Sequence, residues 1–205
     1  MTSDVVDQAV QGLYWQGLRY HALLESVPRR PGLYAIHLQP PEALDFFDWD
    51  VPCERRPLYV GKAERSLHHR DVTDHFSTGK TGWSTLRRSL AVILQHELSL
   101  EPVRRNDAQT VKPTHFGLAN PGEEALSRWM HENLSMSWWV SPQNEDLGKV
   151  EQRVLALLDP PANLNKVPQP SKRIMQLRME FADRVRAQNG IEIPRGRSKA
   201  RGVTQ

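Results

Sequence analysis

The chain has 205 residues, of which 39% are hydrophobic, and this composition predicts a folded globular protein rather than a disordered one. Its apolar runs fall short of the roughly 18–20 residues that span a membrane. The first residues carry acids where a signal peptide carries Lys or Arg. Cys53 is the one cysteine, so the sequence excludes an internal disulfide and a cysteine-based metal site and predicts a cytoplasmic protein.

The net charge of +3 is distributed unevenly along the chain. From residue 171 to the end there are nine Lys/Arg and three Asp/Glu, a net charge of +6, so residues 1–170 carry −3. A basic C-terminal region on a mildly acidic body predicts contact with a polyanion such as nucleic acid. A solubilising tail would have the same composition.

Apolar periodicity predicts a mixture of helices and short strands. Amphipathic spacing predicts helices over residues 4–25, 66–76, 84–98, 120–134, 144–159 and 171–190. Aliphatic and aromatic runs predict strands over residues 32–38, 57–61 and 136–140, with a shorter one over 114–119. The first two strands pair most simply as antiparallel neighbours. Ser84 and Asn120 are predicted helix caps, and Glu123 completes a capping box with Asn120.

The segment from Arg56 to Phe76, RPLYVGKAERSLHHRDVTDHF, gathers side chains that bind phosphate or transfer protons directly after the second strand. Arg70 can clamp a phosphodiester through two parallel hydrogen bonds. His75 lies five residues further along, and a histidine or tyrosine near the arginine can transfer a proton. The following STGKTGWST stretch lacks the first glycine of a nucleotide-binding P-loop and follows no clear strand, so nucleotide hydrolysis is not favoured.

Two tyrosines, a glutamate and an asparagine are further candidates for chemistry. Tyr34 and Tyr59 occupy matching places in the first two strands, so pairing can bring both phenols to one patch, or both can be core tyrosines. Glu151 falls on the apolar side of its helix, where an unpaired carboxylate is costly. A divalent cation or a hydrogen-bond partner would resolve that cost, or Glu151 lies at the edge of the apolar stripe. Asn163 follows after a Pro-Pro stop, either at the same site or as a turn residue.

The order of these residues resembles that of the GIY-YIG nuclease superfamily. The motifs that carry the resemblance are GLY (32–34), YVGK (59–62), Arg70, Glu151 and PPAN (160–163). Leu33 and Val60 replace the central isoleucine of the two tripeptides. The resemblance implies an α+β fold, in which a small three-stranded antiparallel sheet is flanked by helices and residues 136–140 form the third strand.

The same resemblance implies a division of the chain. Residues 1–28 would be an added N-terminal helix, and residues 29–170 a GIY-YIG-like domain with an inserted helical region over about residues 77–135. Residues 171–193 would form a C-terminal helix. Residues 194–205 are polar and basic, and this composition predicts a disordered tail.

As for activity, the resemblance implies a metal-dependent endonuclease that hydrolyses phosphodiester bonds in DNA, most simply double-stranded DNA, in restriction, phage defence or repair. Glu151 would hold one Mg²⁺ or Mn²⁺ ion, and Arg70 would bind the scissile phosphate. Tyr59, aided by Lys62, would help to activate water. Tyr34 would orient water or the phosphate.

Several assignments stay open at this point. His75 is favoured over His69 as an alternative base, and Asn163 is favoured over Asn165 as the residue that closes the motif. A non-catalytic nucleic-acid-binding or protein-interaction domain on the same fold is the alternative function. The sequence leaves open the recognition sequence and the choice between DNA and RNA as substrate. It also leaves open a homodimer, which an enzyme with one active site can require to cut both DNA strands.

Basic residues outside the motifs are candidates for contacts with the DNA backbone. They are Arg87, Arg88, Arg104 and Arg105, together with the basic C-terminal region. Contacts of this kind give salt-dependent binding with little choice of sequence. Each of these side chains can equally belong to a solvated face.

Overall fold

A computed structural model of the chain describes residues 2–14, 17–52, 56–69, 75–105, 114–142 and 145–190. Its helices are α1 (Thr2–Leu13), α2 (Tyr20–Ser26), α3 (Thr85–Ile93), α4 (Asn120–Asn133), α5 (Leu147–Leu158) and α6 (Lys172–Gln188). Its strands are β1 (Leu18–Arg19), β2 (Gly32–Leu38), β3 (Tyr59–Ala63), β4 (Pro102–Val103), β5 (Gly117–Leu118) and β6 (Leu134–Val140). A turn of 3-10 helix covers Pro41–Leu44.

A four-stranded antiparallel sheet in the order β1–β6–β2–β3 forms the centre of the molecule. β2 pairs along its whole length with β6. On its other side β2 pairs with β3, which places Tyr34 opposite Gly61 and Ile36 opposite Tyr59. The expected α+β fold is confirmed, with β6 as the third strand and β1 as a fourth strand that was not predicted.

Side chains alternate between the two faces of this sheet, and helices cover both faces. Leu33, Ala35 and Val60 point to one face and pack with apolar side chains of α1 and α5. Tyr34 and Ile36 point to the opposite face, where α3, α4 and α6 contribute to the larger core. Because both faces are covered, the first five residues of β2 are all buried.

The single helix predicted over residues 4–25 is wrong. α1 ends at Leu13, and β1 pairs instead with the outer edge of β6. A β-carbon on Gly17 would lie within 3.0 Å of the Met136 backbone, so glycine is required for this close approach. The short strand satisfies backbone groups that β6 would otherwise leave at an open sheet edge.

Most other elements agree with the prediction to within a few residues. β3 begins at Tyr59 rather than at residue 57 and extends past Lys62. α3 ends at Ile93, and turns replace the last predicted helical residues up to residue 98. Within the described part of the chain, no helix is both long and apolar enough to cross a membrane.

The region predicted as an insertion, residues 77–135, contains α3 and α4 and also a two-stranded ribbon of β4 and β5. Of the helix predicted over residues 66–76, residues 67–69 and residue 75 are helical. Residues 70–74 and the predicted tail, residues 194–205, lie outside the described residues. The predicted insertion is therefore not purely helical, and it supplies much of the core on the tyrosine face of the sheet.

Candidate active site

A cleft with a volume of about 690 Å³ opens beside β3 and α5. Its polar lining includes Tyr34, Tyr59, Lys62, His69 and Glu151. The two tyrosines come from paired strands, and α5 brings the glutamate to them from a distant part of the chain. Residues that the sequence connected only by their order therefore share one concave surface.

The register of β2 and β3 places the two tyrosines on the same face but not directly opposite each other. Tyr34 is opposite Gly61, whereas Tyr59 is opposite Ile36, and the two ring centroids are 6.3 Å apart. A β-carbon on Gly61 would come within 3.0 Å of the Tyr34 phenol. The glycine of the YVG tripeptide is therefore required for the Tyr34 ring to lie across β3.

A buried chain of hydrogen bonds runs from Tyr34 through His75 to Ser84. The Tyr34 hydroxyl lies 2.6 Å from Nε2 of His75, and Nδ1 of His75 lies 2.7 Å from the Ser84 hydroxyl. Ser84 also caps α3, because its oxygen accepts a hydrogen bond from the Arg87 amide at 3.1 Å. His75 has no exposed surface and Tyr34 only 1%, so His75 lies behind the wall of the cleft rather than in it.

The side chain of Arg87 holds the backbone at His75. Its Nη1 donates a hydrogen bond to the His75 carbonyl oxygen at 3.1 Å, and its Nη2 donates to the Glu123 carboxylate at 2.8 Å. Glu123 also accepts hydrogen bonds from the amides of Gly79 and Thr81. Burial lowers the pKa of Arg87, and the charge of Glu123 opposes the shift. The prediction that Arg87 contacts nucleic acid is wrong, because its side chain is completely buried in this network.

Arg88 is also buried, so the prediction that it contacts nucleic acid is wrong as well. Its guanidinium donates to the carbonyl oxygens of Thr81 and Gly82 rather than to a carboxylate. Burial lowers the pKa of Arg88 to about 9, with repulsion from Arg178 adding to the shift and the charged form of Tyr59 opposing it. Burial lowers the pKa of Arg178 in α6 to about 10, and Tyr59 again opposes the shift. Tyr59 therefore lies in the field of two buried cations.

The carboxylate of Glu151 is nearly buried and accepts a hydrogen bond from Nζ of Lys166 at 2.7 Å. This ion pair resolves the cost of placing a carboxylate on the apolar side of α5. Lys62 forms an ion pair with Glu64 at 2.7 Å. This hydrogen bond raises the pKa of Lys62, and the charges of Glu151 and Asp146 contribute further. The cleft thus contains two ion-paired carboxylates, Glu64 and Glu151, and a lysine that stays protonated.

Asn163 is not among the described residues that line the cleft. Its side chain forms hydrogen bonds with the neighbouring strand, β3. Its side-chain oxygen accepts a hydrogen bond from the Val60 amide at 2.9 Å, and its side-chain nitrogen donates to the Val60 carbonyl at 2.8 Å. The Ala162 amide donates to the Leu58 carbonyl at 3.0 Å. The loop after α5 therefore closes the outer edge of β3 as a further strand would. Asn165, the alternative residue, is exposed on the same loop.

The strands β2, β3 and β6 and the whole cleft fall within a match to one protein family. The model of the GIY-YIG catalytic domain matches residues 32–180, which is more than half of the chain. The chain belongs to the GIY-YIG nuclease superfamily. No curated protein and no solved structure matches it.

The remaining residues predicted for the GIY-YIG site, or for contacts with nucleic acid, do not all lie in the cleft. Arg70 lies outside the described residues, so its place relative to the cleft stays a prediction. His69 is exposed and lines the cleft, in contrast to the buried histidine behind its wall. Arg104 is exposed, and the guanidinium of Arg105 stacks over the ring of Trp83 at 4.4 Å. Both arginines stay candidates for contacts with nucleic acid.

The sequence indicates only part of the role of some residues around the GIY-YIG cleft, and for others it indicates none. Ser84 was predicted only as a helix cap, although it also bonds the buried histidine. Glu123 was predicted to complete a capping box, but α4 has no side-chain cap bond and Glu123 binds Arg87 instead. No local sequence pattern indicates that Lys166 pairs with Glu151. For Arg178 there is such a pattern, since a charged residue between the apolar positions of α6 indicates a buried partner or site.

Proposed function

We propose that the protein is a metal-dependent endonuclease that hydrolyses phosphodiester bonds in double-stranded DNA, in restriction, phage defence or repair. The proposal is supported chiefly by one observation. Two tyrosines, a lysine and a glutamate meet in a single cleft, with a histidine 2.6 Å behind one tyrosine. Phosphodiester hydrolysis needs an oriented nucleophile and stabilisation of the charge that develops on the phosphate, and these side chains can supply both.

Tyr59 is proposed to accept the proton of the attacking water. The positive charges of Arg88 and Arg178 favour the charged form of its phenol over the neutral form. Tyr34 is proposed to orient the water or a phosphate oxygen, because its hydroxyl is held from behind by the buried histidine. Lys62 is proposed to neutralise charge on the phosphate, since its raised pKa keeps it protonated.

Arg70 is proposed to bind the scissile phosphate, as its place after the second tripeptide implies. Asn163 is proposed to act on the reaction indirectly. It holds the outer edge of β3 at Val60, which is the residue between Tyr59 and the glycine under Tyr34. We therefore treat it as a positioning residue rather than a group that touches the substrate.

Glu151 is proposed to hold one Mg²⁺ or Mn²⁺ ion. Among the described residues, no group of three or more His, Cys, Asp or Glu side chains is placed to form a closed metal site. Mg²⁺ is usually held by one or two carboxylates together with water and substrate phosphates, and a single glutamate in an open cleft fits that mode. The carboxylate already binds the cationic group of Lys166, which is 49% exposed and can turn away into solvent. When bound, such an ion supplies Lewis-acid stabilisation of the phosphate.

Double-stranded DNA is proposed as the substrate because two cations line the cleft, a further arginine is exposed elsewhere and the end of the chain is basic. Arg65 and Lys62 line the cleft, and Arg104 is exposed in the loop after β4. The region from residue 171 onward carries a net charge of +6. Positive side chains of this kind bind the phosphate backbone without reading the bases.

Cleavage of supercoiled plasmid tests this proposal. The wild-type protein is expected to nick or linearise plasmid in the presence of Mg²⁺ or Mn²⁺ and to stop when EDTA is added. Glu151→Gln keeps the shape of the side chain but removes its charge, and is expected to lower the rate by at least about a hundredfold. Glu124→Gln, at an exposed glutamate of α4, is the matched control and is expected to cleave normally.

A different outcome would favour the alternative function. If the folded wild-type protein cleaves neither DNA nor RNA with either metal, yet binds DNA in a salt-dependent way, the nuclease proposal is wrong. The protein would then be a nucleic-acid-binding domain on the GIY-YIG fold. Equal cleavage by the wild type and Glu151→Gln would instead refute the assignment of the metal ligand.

A further inference from the structure

An exposed tryptophan lies in the loop that leads into α3, residues 77–83, which we call the Trp83 loop. Trp83 is 49% exposed, and the guanidinium of Arg105 stacks over its ring at 4.4 Å from the centroid. A β-carbon on Gly82 would lie 3.0 Å from Cγ of Arg105, so glycine lets the arginine cross the loop. One face of the indole is therefore covered by a cation, and the opposite face is open.

The backbone of the Trp83 loop is held by buried hydrogen bonds. The amide and the hydroxyl of Thr81 donate to the Glu123 carboxylate at 3.2 and 2.9 Å. The guanidinium of Arg88 donates to the carbonyl oxygens of Thr81 and Gly82. The indole is thus presented from a fixed backbone, and a partner that binds it would lose little affinity to the ordering of the loop.

Positive charge is concentrated at the base of the Trp83 loop. From residue 77 to residue 96 the chain contains no Asp or Glu. Arg88 and Arg178 are 3% and 4% exposed and donate to backbone carbonyl oxygens, and among the described residues neither forms an ion pair with a carboxylate. Burial lowers the pKa of Arg88 to about 9, and repulsion from Arg178 and Arg105 adds to the shift, yet Arg88 stays protonated at neutral pH. Phosphates of a bound strand would complement this charge.

The Trp83 loop adjoins the wall of the cleft. Ser84 follows Trp83 in the chain, and its hydroxyl lies 2.7 Å from Nδ1 of His75. Nε2 of the same ring lies 2.6 Å from the hydroxyl of Tyr34, which lines the cleft. One imidazole ring and two hydrogen bonds therefore connect the loop to the cleft. A strand bound in the cleft is within reach of the loop, because each nucleotide extends a strand by about 3.4 Å.

We propose that Trp83 is a stacking site for a nucleobase that has left the base stack, in single-stranded DNA or at an unpaired position in a duplex. The base lies on the open face of the indole, opposite Arg105, as in proteins that combine aromatic platforms with arginine and a basic groove. Stacking uses the π face of the base rather than its edge, so the site accepts all four bases. The proposal rests on the proposed function in assuming a nucleic-acid substrate, but it does not require cleavage.

Fluorescence anisotropy with labelled oligonucleotides tests the site on the full chain in EDTA, which removes the metal that cleavage is proposed to need. The oligonucleotides are a single strand, a duplex with one unpaired base and the same duplex fully paired. Trp83→Ala is expected to weaken binding of the first two about tenfold, the equivalent of one stacked base, and to change binding of the paired duplex by less than about twofold. Trp83→Phe keeps an aromatic face and is expected to restore most of the affinity.

Phe46→Ala is the matched control, because this ring is 52% exposed and lies outside the Trp83 loop. It is expected to bind every oligonucleotide as the wild type does. Equal losses in Trp83→Ala for the single strand and for the duplex with an unpaired base assign the site to any unstacked base. A loss for one of them alone assigns the site to that source.

Three results would overturn the proposal. They are unchanged binding of every oligonucleotide by Trp83→Ala that circular dichroism shows to be folded, losses as large in Phe46→Ala, and a loss as large for the paired duplex as for the other two. A wild type that binds through Trp83 but cleaves no plasmid refutes the nuclease and keeps the stacking site. A wild type that cleaves plasmid while Trp83→Ala binds normally does the reverse.

Discussion

Replacing Gly61 with alanine tests whether the position of the Tyr34 phenol governs activity. The new β-carbon would come within 3.0 Å of the phenol, closer than side chains tolerate. Gly61 does not have a positive φ, so the backbone accepts alanine and the perturbation is confined to the ring. A shift of the phenol by about 1 Å would stretch its 2.6 Å contact with His75 out of hydrogen-bonding range. Displacements of this size are enough to impair catalytic groups.

The expected effect on activity is larger than the effect on stability. Leaving the polar groups of Tyr34 and His75 buried without each other costs about 1–3 kcal/mol, which lowers the melting temperature. A misplacement of about 1 Å lowers the rate by about a hundredfold, measured as the initial rate of plasmid nicking. Gly117→Ala in β5 is the matched control, since a β-carbon there makes ordinary contacts with Val103. A folded Gly61→Ala protein that nicks plasmid at the wild-type rate would refute this reasoning.

Three further changes probe the surroundings of the cleft. Asn163→Ala is expected to destabilise the protein by about 1–3 kcal/mol in chemical denaturation, because it removes both hydrogen bonds to Val60, and unchanged amide exchange at Val60 would contradict it. Arg178→Met is expected to move the rising limb of the pH–rate profile to higher pH, because losing a positive charge disfavours the charged phenol of Tyr59. Arg178→Lys is its control and should move the limb less, and an unshifted profile in Arg178→Met would exclude the electrostatic role. Lys166→Met removes the cation that competes for the cleft carboxylate and is expected to tighten Mn²⁺ binding in calorimetry, whereas unchanged binding would place the metal elsewhere.

The order of the motifs in the sequence predicts that Tyr34, Tyr59 and Glu151 lie in one site, and all three line the cleft. Tyr34 and Tyr59 lie on strands recognisable from their composition, and Glu151 lies on a helix recognisable from its periodicity. Each of these signals depends on near neighbours in the chain, where the two periods of strand and helix determine which side chains share a face. The resemblance to the GIY-YIG family then predicted which of these elements lie next to one another.

The arginines of α3 show where local reasoning failed. Arg87 and Arg88 were predicted at the surface because a charged side chain on an amphipathic helix usually faces water. Both are buried, since α4 supplies Glu123 to Arg87 and the loop before α3 supplies carbonyl oxygens to Arg88. Neither partner is visible in the periodicity of α3, because the partners come from other segments.

The helix predicted over residues 4–25 failed for a related reason. Its apolar spacing suits one amphipathic helix, but the open edge of β6 binds Leu18–Arg19 as a short strand. Backbone hydrogen bonds at a sheet edge outweighed a local helical preference that isolated segments hold only weakly. Gly17 is required at that edge, because a β-carbon there would lie within 3.0 Å of the Met136 backbone.

By itself, the amino-acid sequence determined the kinds of elements, the motifs of the GIY-YIG family and the basic character of the chain's end. The tertiary structure alone decided that Tyr34 lies over Gly61 and that His75 stands between Tyr34 and Ser84. It also decided that Asn163 closes an edge of the sheet. The physical reason is that periodicity records the environment of a side chain, inside or outside, within a few residues. The register of strands and the direction of a buried hydrogen bond depend instead on atoms from segments that meet only after the chain has folded.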